Sequence, residues 1–202
     1  MCKPSQHRKR IRHFDDPRHV RELTFSCYQR RPLLCDDERR TLLAESINRA
    51  VDRYDYRLTA FVFMPDHVHL LVYPLPNASE ISSLLWAIKR PFSYRVKKLL
   101  ESNRDPLLEE LTIRTRPGGT SFRFWQEGPG YDRNLVSPES VQSAIEYIHR
   151  NPVRRGFCQR TVEWPWSSAR YYELGERSEP STFPKIEPIP AEWLTDGGVH
   201  VT

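Results

Sequence analysis

The spacing of apolar and polar positions changes several times along this chain, and each change marks a new element. Through RELTFSCYQRRPLL (21–34), Leu23, Phe25 and Cys27 recur every second residue, as in a half-buried strand. In CDDERRTLLAESINRAVDRYD the period lengthens. Leu42, Leu43, Ile47 and Ala50 share one helical face, and Asp36 and Asp37 suit its N-terminal end. A second strand is predicted over 56–64, the MPDH stretch turns tightly, and a third strand over 67–73 completes a hairpin. Residues 77–102 return to helical spacing with Leu84, Leu85, Ile88 and Phe92 inward, and Pro91 among them predicts a kink or a break. Residues 103–120 read as a loop, and 121–135 as a strand with a Gly-Pro-Gly interruption. SPESVQSAIEYIHRNP then has strong helix signals: Ser137 as N-cap, Pro138 at the first helical position, and Pro152 just past the end.

The order β-α-β-β-α-β-α predicts an α+β fold: a ferredoxin-like sheet of about four strands with helices packed on one face. With 38% hydrophobic positions, 202 residues suit one domain with a substantial core. Residues 1–20 lack periodicity and read as a flexible basic arm. Residues 21–172 form the domain, closed by the aromatic run TVEWPWSSARYY, and 173–202 read as a loose, acidic, Pro-rich tail.

Charge sharpens this division. The formal net charge is +5, but residues 173–202 hold six acids and two bases, which leaves +9 on the body. A basic body suits a polyanionic partner, with nucleic acid first and an anionic membrane surface second. No apolar run approaches the roughly 18 residues of a membrane span. MCKPSQHRKRIRHF has no apolar segment behind its charges, unlike a signal peptide, and the four cysteines show no paired spacing. A reducing cytoplasm is the expected location.

The most apolar stretch, AFVFMPDHVHLLVYP (60–74), carries two histidines. On a strand, His67 and His69 project to the same face, where two imidazoles can chelate one divalent metal. Taken alone, His-x-His more often marks histidines with ordinary hydrogen-bond partners. Two histidines hold a metal poorly, so a third ligand is needed. In EYIHRNPVRRG, Tyr147 and Asn151 lie i, i+4 on one helical face. An Asn carbonyl is a hard ligand suited to Mg²⁺ or Mn²⁺, and a tyrosine one turn earlier can serve as a nucleophile. Alone, Tyr147 reads as a core or boundary aromatic, and Asn151 as a helix end before Pro152.

FMPDHVHLLV, FWQ…YDRNL, YIHRNPVRRGF and WPWSS, in this order and at these separations, resemble the REP-associated tyrosine transposases. These are single-tyrosine members of the HUH (His-hydrophobic-His) endonuclease superfamily, and the resemblance covers about residues 21–172. It implies an RNA-recognition-motif-like sheet with the histidine pair on a central strand. It also implies cleavage and rejoining of single-stranded DNA through a covalent 5′-phosphotyrosine, beside hairpins of repetitive palindromic DNA. By motif position Tyr147 is the nucleophile and His67, His69 and Asn151 are the metal ligands. Related single-tyrosine transposases can be swapped dimers with the nucleophile acting in trans, whereas the resemblance to the REP-associated group favours a monomer acting in cis. Tyr131 also belongs to the pattern but sits on a strand with no i+4 ligand, which suits packing or DNA contact. Tyr94, within the Pro-containing helix, is a weaker competitor still. His149 lies two residues from Tyr147 and is expected to face away from it, as a phosphate contact or a solvated group.

Basic residues cluster where DNA needs them: Lys89, Arg90, Arg95, Lys97 and Lys98 in one helix, Arg150, Arg154 and Arg155 after the tyrosine, and Arg8, Lys9, Arg10 and Arg12 in the arm. Neutralising phosphates gives salt-dependent affinity, while Trp86, Phe92 and Trp125 offer stacking surfaces for unpaired bases. The alternative is a binding module on the same fold that holds structured DNA or RNA without cutting it; Tyr147, His67, His69 and Asn151 together favour the enzyme. A His-x-His hydrolase on a TIM barrel fails on length, since that barrel takes roughly 250 residues.

Overall fold

Four segments with a two-residue period form one antiparallel sheet in the computed structural model, which describes residues 19–116, 118–128, 130–175 and 183–190. In chain order the elements are β1 (Val20–Ser26), α1 (Asp37–Arg53), β2 (Tyr56–Phe63), β3 (His67–Pro74), α2 (Ile81–Asn103) and a one-turn helix, α3 (Leu107–Glu110). A small hairpin follows, β4 (Thr112–Arg116) and β5 (Gly119–Phe122), then β6 (Tyr131–Leu135), α4 (Pro138–Arg154) and α5 (Ala169–Leu174). The sheet order is β2-β3-β1-β6 with every neighbouring pair antiparallel. This is the expected α+β, ferredoxin-like arrangement, and the histidine strand β3 is an inner one. No helix among the described residues is long and apolar enough to cross a membrane.

Strand alternation sends two apolar sets to opposite faces of the sheet. Leu23, Phe25, Phe61, Phe63, Val68 and Leu70 pack with α1 and α2. Val20, Ala60, Val62, Leu71 and Leu135 pack with Val141, Ala144, Ile145 and Ile148 of α4. The expectation of helices on one face only is therefore corrected. Both sheet faces are apolar at its centre, and the stripe of α4 covers the second. That placement lays α4 beside the histidines.

Local signals held at the helix starts. Asp36 accepts a hydrogen bond from the Arg39 amide at 3.0 Å, and Ser137 and Ser140 cap α4 reciprocally, each side chain accepting from the other's backbone N–H at 3.2 Å. Prolines misled. α2 runs unbroken through Pro91 because Leu84, Leu85 and Ile88 before it, and Phe92, Val96 and Leu100 after it, all enter the core. That burial outweighs the roughly 3 kcal/mol an interior proline costs. Pro152 likewise lies within α4, buried, rather than past its end. Residues 103–120 are not a plain loop but contain α3 and most of the β4–β5 hairpin. The single strand expected over 121–135 is split, with β5 pairing to β4 and β6 joining the main sheet.

The C-terminal part covers the outer edge of β2. The Phe63 amide donates to the Trp166 carbonyl at 2.9 Å, and the Trp164 indole donates to the Phe63 carbonyl at 3.0 Å. Ser168 accepts from the Phe61 amide at 2.9 Å through Oγ, and its own amide returns a bond to the Phe61 carbonyl at 3.0 Å. Tyr172 donates to Thr59 at 3.0 Å and the Glu187 amide to Leu58 at 2.9 Å, at the bulge where the register shifts. Phe183 stacks on Trp166 at 4.7 Å, and Ile189 is buried against the α4 side of the sheet. Residues 183–190, expected to be part of a loose tail, are thus built into the fold. The arm residues Arg8, Lys9, Arg10 and Arg12 lie outside the described residues.

Candidate active site

Register places both imidazoles on the α4 face of the sheet. His67 lies opposite Ser26 and His69 opposite Thr24 on β1, and both histidines are buried. Their Nε2 atoms converge to 3.1 Å, while the Nδ1 atoms are held from outside: His67 by Asp66 at 2.7 Å and His69 by the Thr24 hydroxyl at 2.8 Å. The Asp66 carboxylate requires a proton on His67 Nδ1, so His67 Nε2 presents a bare lone pair. A proton on His69 Nε2 lets the two rings bond to each other. The Thr24 hydroxyl can also accept from Nδ1, which would leave both Nε2 lone pairs facing one point.

α4 brings in the other half. Tyr147 stands edge-on to His69, with ring centroids 5.6 Å apart, and is 40% exposed. Asn151, one turn on, is buried and donates through Nδ2 to the Tyr147 carbonyl at 2.9 Å. Its Oδ1 is thereby the end available to a cation. The Arg154 guanidinium lies 5.0 Å from the centre of the Tyr147 ring. All five side chains line one open cavity of ≈ 740 Å³, across which Glu22, Tyr131 and Arg133 stand on β1 and β6. The structure therefore brings His67, His69, Tyr147 and Asn151 together in one cavity, as the resemblance implies.

Among the described residues no three His, Cys, Asp or Glu side chains are arranged so that they could hold a metal ion together. The donor set fits a divalent ion only with Asn151 as the third protein ligand. Two imidazoles whose outer nitrogens are anchored, plus one carbonyl oxygen, make a mixed N/O set of the kind Mn²⁺ or Mg²⁺ accepts alongside phosphate oxygens.

Electrostatics keeps both rings neutral. Burial pushes His69 down to about 3, assisted by His67, Arg155 and Arg30. Burial lowers His67 as well, against the opposing pull of Asp66. For Asp66 burial acts upward, but its hydrogen bonds with His67 and Arg155 and the positive charge of Arg155 outweigh it and hold the carboxyl below the usual range. Neutral imidazole is the metal-binding form.

The other candidates divide. Arg154 and Arg155 line the cavity, Arg155 donating to Asp66 at 3.1 Å, and Arg150 lines a shallow groove beside Tyr147. The α2 cations are less free than their run suggests. Lys89 lies over Phe25 at 4.9 Å, Arg90 over Trp86 at 4.9 Å, Arg95 bonds Glu45 at 2.6 Å, and Lys97 and Lys98 share Glu101. Phe92 and Trp125 are core residues, whereas Trp86 and Tyr94 are exposed. His149 does face away from Tyr147 but is neither solvated nor a phosphate contact. It is buried, hydrogen-bonded through Nε2 to Ser168 Oγ at 2.8 Å. Asp66, Thr24, Arg30 and the Glu22–Arg133 pair (2.8 Å) join the site without a spacing of their own in the sequence. The "PDH" turn ahead of the histidines was the available signal for Asp66.

The description of IS200-like transposases matches residues 19–151 of the chain. A Haemophilus influenzae protein that carries the provisional name REP-associated tyrosine transposase is 24% identical over 146 residues, 67% of this chain and 76% of that protein. The REP-associated tyrosine transposase of Escherichia coli is 23% identical over 114 residues, so this chain spans 54% of its length. Among solved structures, a REP-associated tyrosine transposase bound to a REP hairpin superposes with a TM-score of 0.64 at 15% identity, covering 96% of this chain and 99% of that one.

Proposed function

Because the chain belongs to the IS200-like transposase family, an enzyme family, we propose that it cuts and rejoins single-stranded DNA beside a hairpin, through a covalent 5′-phosphotyrosine on Tyr147. The observation that carries this reading is the meeting of Tyr147 with the His67–His69 pair in one cavity. In the forward step the Tyr147 Oη–P bond forms as the P–O3′ bond breaks. The phenolic proton passes to solvent and the leaving 3′-oxygen takes one up. Because one phosphoester replaces another, a 3′-hydroxyl can reverse the step without an added energy source.

A free phenol, with a pKa of about 10, is mostly protonated at neutral pH, so the reaction needs charge stabilisation around the phosphate. A Mg²⁺ or Mn²⁺ ion held by His67, His69 and Asn151 would polarise the scissile phosphate there. The protein's own contribution is orientation. Asp66 and Thr24 fix the imidazoles, Asn151 is tied to the helix turn that bears Tyr147, and Arg154 supports the ring. Arg150, Arg154 and Arg155 supply cations for the strand on the α4 side. Arg90, Lys97 and Lys98, with exposed Trp86 and Tyr94, form a second basic and aromatic surface for the same DNA. The natural substrate is a REP-like palindrome with an unpaired flank. One chain contributes every group, so a monomer suffices.

Incubation with Mn²⁺ and a hairpin bearing a single-stranded flank is expected to give an SDS-resistant protein–DNA adduct. Tyr147→Phe abolishes the adduct while leaving DNA affinity within a few-fold of wild type, and Tyr131→Phe retains it. An adduct that survives Tyr147→Phe and disappears in Tyr131→Phe assigns the nucleophile to β6 instead. Hairpin binding with no adduct on any substrate would favour the non-cutting module.

A further inference from the structure

The turn that follows β1 has a backbone that its residues do not favour. Gln29 and Arg30 both adopt left-handed dihedrals, with φ of 54° and 57°. Each such non-glycine residue costs on the order of 1–2 kcal/mol, and a turn of this kind is met with least strain by Asn or Gly. The surroundings hold it firmly. The Cys27 amide donates to Asp66 at 2.8 Å, Tyr28 to Phe124 at 2.8 Å, Gln29 to Gln126 Oε1 at 3.1 Å, Arg30 to Cys27 at 3.0 Å, and Arg31 to Tyr28 at 3.1 Å. Every amide from 27 to 31 is therefore bonded. What the turn delivers is the Arg30 side chain, which lines the same cavity as His67, His69 and Tyr147.

Asp66 organises three cationic or proton-donating groups there. Its Oδ1 accepts from His67 Nδ1 at 2.7 Å and from Arg155 Nη1 at 3.1 Å, and its Oδ2 faces Arg30 Nη1 at 3.6 Å. Arg30 thus spends one edge of its guanidinium on Asp66 and stays 63% exposed, with the remaining donors open to the cavity. Arg155 is placed alike from α4, 42% exposed. Two guanidiniums thus meet on the carboxylate that anchors His67, one from the turn after β1 and one from the end of α4, and form a cationic fork facing the cavity, complementary in charge to an anionic phosphodiester.

We propose that Arg30 is a catalytic residue that donates to a non-bridging oxygen of the scissile phosphate, with Arg155 as the second arm of the fork. This rests on the reading of Tyr147 as nucleophile. The strained turn and the Asp66 contact set Arg30 beside the cavity before substrate arrives, which reduces the reorganisation needed as charge develops on the phosphate.

The test is single-turnover adduct formation with Mn²⁺ on a hairpin with an unpaired flank. Arg30→Ala is expected to slow it about 100-fold. Affinity for the same DNA, measured by anisotropy in a Tyr147→Phe background, should fall less than about tenfold. Arg30→Lys restores part of the rate, since an ammonium supplies the charge without the fork. A phosphorothioate at the scissile position gives the specific signature: sulfur in one of the two non-bridging positions slows wild type, and that penalty disappears in Arg30→Ala while the other diastereomer's persists. Melting curves of the exposed variants check the fold. Wild-type rates in Arg30→Ala, or equal losses of rate and affinity, overturn the assignment. Absence of an adduct with wild-type protein instead removes the enzymatic reading and this proposal with it.

Discussion

The shared faces of His67 with His69 and of Tyr147 with Asn151 are legible in the sequence because two simple periods govern them, while the meeting of the two pairs is implied only by the family resemblance. A strand repeats every two residues and a helix every 3.6, so the spacings i, i+2 and i, i+4 already fix shared faces. The groups that hold them have no such signature. Thr24 reaches His69 only through the β1–β3 register, and Arg30 only through a left-handed turn that its own residue type disfavours. The surroundings of His149 have no local signature for the same reason: its partner, Ser168, is supplied by a segment covering β2. Burial pushes His149 down to about 4 and His69 to about 3, from an ordinary value of 6.5. Below pH 6.5 the unfolded chain therefore takes up protons that the folded one refuses. Stability is full above that pH and falls as pH drops towards 4, by on the order of 2 kcal/mol for His149. In metal-stripped protein, His149→Gln, which keeps a polar group near Ser168, is expected to flatten the acid limb of stability measured by urea melts. An unchanged slope between pH 6.5 and 4 would show that His149 is not the titrating group.

At the level of elements, caps were easier to read than breaks. Asp36, Ser137 and Pro138 act within one turn of themselves, so short sequence windows contain the whole interaction. Pro91 and Pro152 depend on what the rest of the helix buries, which no local window contains. The split of 121–135 into β5 and β6 has a visible marker in Gly-Pro-Gly, but not the partner each half would choose. Gly130 closes that interruption with a φ of +81°, and a Cβ there would meet the Thr24 carbonyl oxygen at 2.2 Å. The obstacle is backbone on the strand that positions His69, and it cannot yield without disturbing the β1–β6 pairing. Gly130→Ala is expected to cost about 3 kcal/mol or more, a fall of roughly 5–10 °C in Tm. It should also weaken Mn²⁺ binding in calorimetry, because Thr24 moves with the clash. A melting temperature unchanged within a degree would contradict the close approach.

For the whole molecule, topology followed from the element order, while the boundary at 173 did not. An acidic, Pro-rich composition reads as tail, yet Phe183, Glu187 and Ile189 complete the cover over β2 and the adjoining core. Deleting residues from 183 onward would uncover Trp166 and the Leu58 carbonyl on an edge strand, a surface suited to pairing with another chain. Size-exclusion chromatography of that truncation is expected to show concentration-dependent association absent from the full chain, and a strictly unchanged elution volume would argue that the segment is dispensable.

The two helix layers have a further consequence for any polymer bound to this protein. The cavity opens on the α4 face, whereas Trp86, Arg90, Tyr94 and Lys98 ride on α2 behind the sheet. A sheet and a helix layer separate the two surfaces, on the order of 20 Å of protein. A short straight oligonucleotide in the cavity stays on its own side. On the DNA-binding reading proposed above, only a strand that doubles back around the sheet would touch both surfaces, and a straight one would reach one of them.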